Sequence, residues 1–285
     1  MKNRDPLELF YKRRKSLILR LFVSVIAILG LISLITQFQG KDDFIAKIEL
    51  QGIIQDKKEL ISQLENLNDD KNVKGLITVI NSPGGTYVGS KEVYDAINIV
   101  SNKIPTAVYM REMATSGGYL VSLSSDKIFS NEGTITGSIG VILQTADISK
   151  LLNKLGITPV IIKSGQLKAV PNPAEKIGEK ELSYLQEVIK KMQNEFLEIV
   201  KLNRNLSEST IELIKDGRIF TGKDAKKLEL IDEIGSERDA LNWLIENAGV
   251  DENIKIKDLS NENELKELFS LSFLKKKINY LNQNF

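Results

Sequence analysis

Residues 75–85 read Gly75-Leu-Ile-Thr-Val-Ile80-Asn81-Ser82-Pro83-Gly84-Gly85. Gly75 to Ile80 is an apolar, β-branched run of the length and kind that form a buried strand. Asn81 to Gly85 stops it with a strong turn signal. Ser90–Val100 then reads as a helix. Outward from this unit the alternation of strand and helix continues. Phe44–Leu50 is a short apolar run followed by Gly52. Lys58–Leu67 sets Leu60, Ile61, Leu64 and Leu67 on one helical face. Thr106–Met110 is a third strand, and Thr115-Ser116-Gly117-Gly118 opens a helix that runs to about Ser124. Lys127–Ser130 is a short strand, and Thr134–Leu143 is rich in Gly and β-branched residues. Ile148–Leu155 reads as a helix closed by Gly156, Pro159–Lys163 as a strand, and 164–176 as a loop holding Pro171 and Pro173. A long helix spans about Glu179 to Asn203, with Leu182, Leu185, Val188, Met192, Phe196 and Ile199 along one side. Shorter helices follow at 207–215, 223–228 and 237–248. This alternation predicts an α/β fold with a largely parallel sheet.

The chain has 285 residues, with 39 Lys+Arg against 38 Asp+Glu, and neither histidine nor cysteine. The two missing types exclude a Ser-His-Asp triad, a Cys-His dyad, a thiolate zinc site, a disulfide scaffold and a haem histidine ligand. Acid–base chemistry near pH 7 must then come from Lys, Glu, Asp, Tyr or a terminus in a special environment. Residues 1–20 carry Lys2, Arg4, Lys12, Arg13, Arg14, Lys15 and Arg20 against Asp5 and Glu8. The remainder is slightly acidic and holds no basic stripe, which argues against nucleic acid as a partner.

Leu21 to Gly40 contains no charged residue. Twenty helical residues span about 30 Å, the thickness of a bilayer's hydrocarbon core. Thr36-Gln37-Phe38-Gln39-Gly40 offers no A-x-A-like cleavage site, so an uncleaved anchor is expected rather than a signal peptide. The basic cluster ahead of it predicts a cytoplasmic N-terminus and a remainder outside, at the cell membrane. The expected organisation is a basic segment over 1–20, an anchor over 21–40, a catalytic domain over 44–248 and a polar tail over 251–285. The tail's stretch 268–281 has the pattern of an amphipathic surface helix.

Four segments carry chemistry. Asn81–Gly85 lets backbone N–H groups approach a ligand oxygen, so it is a tight turn or an anion cradle. Ser116, at a strand-to-helix turn among small residues, is an N-cap or a nucleophile. Lys163 and Lys168 flank Ser164-Gly165-Gln166-Leu167. Either is a solvated lysine, or one is a base made available by burial, since desolvation disfavours the ammonium. Thr136-Gly137-Ser138-Ile139-Gly140 is a turn, or a second hydroxyl that orients a lysine amine.

Taken together, INSPGG at 80–85, MATSGGYL at 113–120, DKIF at 126–129, TGSIGV at 136–141, KSGQLK at 163–168 and DGRIFTGKDAKKLELIDEIG at 216–235 resemble a known family. It is the protease IV-type serine peptidases of family S49, the signal peptide peptidase A group, within the larger ClpP/crotonase fold. The resemblance covers about 44–246 in order. It implies a ClpP/crotonase-like fold of strand–helix units and a Ser/Lys peptidase that uses no cofactor or metal. On that resemblance Ser116 is the nucleophile, Lys168 the general base and Ser138 the group that holds the lysine amine. Gly85 and Gly117 supply the oxyanion-hole N–H groups, and Lys163 falls at a strand end outside the matching position. The family usually carries an acidic residue after the lysine, where this chain has Ala169. The chain carries one such domain, as the family's short form does. The resemblance implies a ring-shaped homo-oligomer with the dyad completed between neighbours, and apolar signal-peptide remnants as substrates. Two other classes compete: a catalytically silent membrane scaffold, and acyl-CoA chemistry of the crotonase branch.

Overall fold

The computed structural model describes residues 42–260, together with Arg20, Val23, Ser24 and Ile26. The chain divides into two units, residues 1–42 and 43–285. In the first, Ser24 Oγ donates to the Arg20 carbonyl at 2.8 Å, a bond of one helical turn. The rest of the expected anchor, and the tail beyond Ser260, lie outside the described residues. Among the described residues no helix is long and apolar enough to cross a membrane.

The second unit alternates strand and helix. The strands are β1 (Phe44–Gln51), β2 (Val73–Ser82), β3 (Thr106–Thr115), β4 (Lys127–Ser130), β5 (Ile135–Gly137), β6 (Ile219–Thr221), β7 (Glu233–Ile234) and β8 (Lys255–Asp258). The helices are α1 (Lys58–Asp69), α2 (Tyr87–Ser101), α3 (Gly117–Ser122), α4 (Ser149–Lys154), α5 (Glu179–Asn203), α6 (Glu208–Ile214), α7 (Gly222–Lys227) and α8 (Glu237–Ala248). The strand order is β6-β5-β3-β2-β1-β8, and β4 bridges β3 to β7. All pairings are parallel except β5 with β6. The expected α/β class with a largely parallel sheet is therefore observed.

β2 shows why the sequence folds this way. Its apolar run has no polar alternation because both of its faces are covered. Leu76 and Ile80 point into the larger core with α1, α2 and α3, while Ile77 packs with Ala240 and Leu244 of α8 on the other face. β3 is long enough to serve two neighbours on one side. Ala107–Met110 pairs with β4, and Met113–Thr115 pairs with β5. That division leaves the carboxyl ends of β2, β3 and β5 side by side, where open α/β sheets place their ligands.

One expectation is corrected. Pro159–Lys163 forms no strand. Val160 is 84% and Ile162 95% exposed, and among the described residues no strand pairs with it to complete a ladder. An apolar run becomes a strand only when its backbone finds a partner. Thr134–Leu143 likewise yields only the three residues of β5, and the backbone beyond Ser138 leaves the sheet.

A charged cluster ties the sheet to α8. Lys47 Nζ lies 2.7 Å from Glu237 and 3.0 Å from Glu49. Arg111 Nη2 lies 3.1 Å from Glu237 and 3.7 Å from Glu49. Burial pushes both carboxyls up, but the hydrogen bonds and charges of the two cations outweigh it, and both sit below the usual glutamate value of 4.5. A carboxylate whose folded value is depressed stabilises the fold at neutral pH, and that contribution disappears as pH falls through its folded value. Thermal unfolding followed between pH 7 and 3 should therefore show a progressive loss of stability below about pH 4.5. Glu237→Gln should be less stable at pH 7, and should lose less than the wild type on acidification.

Candidate active site

Two turns meet at the carboxyl edge of the sheet. β2 ends at Ser82, whose register partner in β3 is Ala114. The fully buried Ser82 hydroxyl donates to the Gly52 carbonyl at 2.6 Å and accepts from the Gly84 N–H at 3.0 Å. The Ile54 N–H donates to the Gly84 carbonyl and the Thr86 N–H to the Ile54 carbonyl, each at 2.9 Å. These bonds lay Gly84-Gly85 flat against Ile54. A Cβ on Gly85 would stand 1.8 Å from the Ile54 carbonyl oxygen, so only glycine fits. Gly84, with φ of 99°, adopts a backbone that L side chains rarely take.

The second turn carries Ser116. Its φ of 51° and ψ of −118° lie outside the ordinary basins of a non-glycine residue. Strain of that kind costs about 1–3 kcal/mol and persists where surrounding bonds impose it. Here the Ser116 N–H donates to the Gly137 carbonyl at 2.8 Å. The Ser116 hydroxyl caps nothing in α3, although it stands at the N-cap position. An N-cap role is thus excluded, and the half-buried Oγ is free of hydrogen bonds among the described residues. The nitrogens of Gly85 and Gly117 lie close together. A Cβ on Gly117 would be 3.2 Å from Gly85 N, and one on Gly84 would be 2.8 Å from Gly117 N. Neither N–H is engaged among the described residues. Two such donors beside a free hydroxyl can hold the oxyanion of an attacked carbonyl.

Ser138 joins them through backbone bonds. Its N–H donates to the Arg218 carbonyl at 2.8 Å, and the preceding carbonyl, that of Gly137, holds Ser116. Ser138 is also left-handed, with φ of 52°. Ser116, Ser138, Gly85 and Gly117 line one cleft of about 870 Å³. Its walls are largely apolar, with Leu120, Val141, Ile189, Met192 and Phe196. That is the lining an apolar peptide segment requires.

Two supporting residues escaped the reading of the sequence, though both sit inside its motifs. Ser82 fixes the glycine turn. Tyr119, fully buried behind Ser116, donates its hydroxyl to the Leu230 carbonyl at 3.0 Å, and burial pushes its phenol well above the usual range. The loop it holds is anchored in turn by Arg204, which donates to the Glu229 carbonyl at 2.7 Å and to both Asp232 oxygens at 3.0 Å.

The lysines are placed differently. Lys168 is exposed, does not line the cleft, and its amine has no partner among the described residues. Lys163 forms an ion pair with Glu175. The chain alone therefore gathers the two serines and the two glycines but does not bring Lys168 to them. Among the described residues no cluster of acidic side chains could hold a metal.

A strained serine beside paired N–H donors at the edge of a parallel sheet is an arrangement suited to acyl-transfer chemistry. Comparison with known proteins makes this specific. The model of peptidase family S49 matches residues 98–251, and that of Clp protease matches 45–134. A relative named as a signal peptide peptidase SppA, from Enterococcus faecium, is 37% identical over 70% of this chain and 62% of its own length. A protein named as protease slr0021, from Synechocystis, is 37% identical over 73% of this chain and 75% of its own. A protein named as protease MJ0651, from Methanocaldococcus jannaschii, is 36% identical over 77% of this chain and 70% of its own. The chain belongs to peptidase family S49, a family of serine peptidases, and its part from 45 to 134, which carries β1 to β4, is similar to Clp protease.

Gly85→Ala should break the bridge to Ile54, displace the residue 85 N–H and lower turnover by about 10²–10³, the range for a lost oxyanion donor. Tyr119→Phe leaves the Leu230 carbonyl without its donor and should lower stability by about 1–3 kcal/mol. Peptidase kinetics and denaturant unfolding check the two.

Proposed function

We propose that this protein is a membrane-anchored serine endopeptidase with a Ser116/Lys168 dyad, and that it clears apolar signal-peptide remnants after preproteins are cut. The observation that carries the reading is the free hydroxyl of Ser116, on a strained backbone, beside the unengaged N–H groups of Gly85 and Gly117. The anchor rests on the uncharged stretch 21–40 and its basic flank. The catalytic domain then lies on the extracytoplasmic side.

The chemistry follows from the residues. Ser116 Oγ attacks the scissile carbonyl while the neutral Lys168 amine accepts its proton. The oxyanion rests on the N–H groups of Gly85 and Gly117. The lysine then returns the proton to the leaving amine, which departs and leaves an acyl-enzyme. Water, deprotonated by Lys168, hydrolyses that ester and frees Ser116. Ser138 accepts or donates a hydrogen bond to hold the amine in line.

Lys168 reaches a serine through assembly. The stretch of chain ahead of it exposes large apolar side chains: Ile142 is 86% exposed, Leu155 65%, Val160 84% and Ile162 95%. Large apolar side chains left this exposed are the kind an interface covers. A second copy of the chain suits it, because the same contact would carry Lys168 into a neighbour's cleft and desolvate its amine. Head-to-tail contacts that close give a ring.

Ser116→Ala and Lys168→Ala should each be folded and inactive toward a fluorogenic apolar peptide. Mixed and re-annealed, the two should regain about a quarter of the wild-type rate, the statistical fraction of sites with an intact serine beside an intact lysine in a head-to-tail ring. No recovery in mixed rings would place the dyad within one chain. The rate should rise with pH from 6 to 9, because only the neutral amine accepts a proton. A falling profile in a stable sample rules out a lysine base.

A further inference from the structure

Lys163 was the competing base in the sequence, and the structure gives its amine a different task. It is ion-paired to Glu175, with side-chain exposures of 19% and 36%. The pair closes the stretch from 163 to 175, which contains neither helix nor strand, and Lys168 lies near its middle. The Glu175 end of the loop is reinforced, and a further bond ties its interior to the helix that follows. The Asn172 amide reaches the same Glu175 oxygen at 3.4 Å, and the Glu175 N–H donates to the Asn172 carbonyl at 3.2 Å. The Ala174 N–H donates to Asn172 Oδ1 at 3.0 Å, and Lys180 Nζ donates to Gln166 at 3.2 Å. Within the loop the Lys168 N–H closes a turn onto the Gly165 carbonyl at 3.0 Å, and Ala169 is left-handed with φ of 65°. An alanine in that conformation persists where other contacts impose it.

We propose that the Lys163–Glu175 pair is a clip that presents Lys168 outward in one orientation. Both are positioning residues for the general base. An exposed loop that must deliver one amine to a neighbour's serine has many conformations to lose. Tying its feet before assembly removes most of them, and misplacement of a reacting group by about 1 Å costs on the order of 10²-fold in rate. The inference rests on the reading of Lys168 as the base.

The test uses the full chain in its assembled form, with Lys163→Glu, Glu175→Lys and the double reversal measured beside Lys168→Ala. Thermal unfolding and light scattering verify fold and assembly for each. Each single reversal should lower kcat at least ten-fold with KM unchanged, and the double reversal should recover most of the loss. Glu175→Gln, which keeps a hydrogen bond without the charge, should fall between. Wild-type kcat in the single reversals, or a double reversal as poor as the two losses combined, overturns the clip while an inactive Lys168→Ala leaves the base reading intact. An active Lys168→Ala removes the base reading and the clip with it.

Discussion

The site depends on a contact between backbones that leaves no space for a side chain. The Gly84-Gly85 turn lies against Ile54 on one side and against Ser116-Gly117 on the other, with separations that a single Cβ would fill. Both turns emerge from adjacent parallel strands, so the sheet register that pairs Ser82 with Ala114 also sets the spacing of the two N–H groups. Ser82 turns that register into a fixed orientation by bonding the Gly84 N–H and the Gly52 carbonyl. Donors held in advance cost no reorganisation when charge develops, and that is the main source of their catalytic value.

The rest of the structure supports this contact from two directions. From the front, the Gly137 carbonyl imposes the left-handed turn on Ser116, and the Arg218 carbonyl fixes Ser138 beside it. From behind, Tyr119 fastens the helix that follows Ser116 to the loop at Leu230, which Arg204 and Asp232 hold in place. The late segment 216–235 therefore does more than complete the sheet. It buttresses both serines, which explains why a stretch so distant in sequence belongs to the same constellation.

Much of this was legible beforehand. The Asn81–Gly85 and Thr115–Gly118 turns announced themselves through glycines whose need the structure explains by contact and by positive φ. The long helix over Glu179–Asn203 was legible because its apolar period runs unbroken. Where the reading failed, the missing information was tertiary. Pro159–Lys163 has the composition of a strand but no partner among the described residues, while β7 is two residues long and β8 is mostly charged, both being defined by the distant strands they pair with. Ser82 and Tyr119 looked like motif filler because their hydroxyl partners, Gly52 and Leu230, are remote in sequence. The fate of Lys163 was decided by Glu175, twelve residues away across a loop of no regular structure.

The central claim is that Ser116 is a nucleophile activated by Lys168. The most direct measurement is to treat the active protein with a serine-directed phosphonylating reagent and locate the adduct by peptide mass mapping. The account predicts one stoichiometric adduct, on Ser116, with labelling strongly slowed in Lys168→Ala. An active protein that loses its activity through an adduct at another residue, or that labels Ser116 equally fast without Lys168, would contradict it.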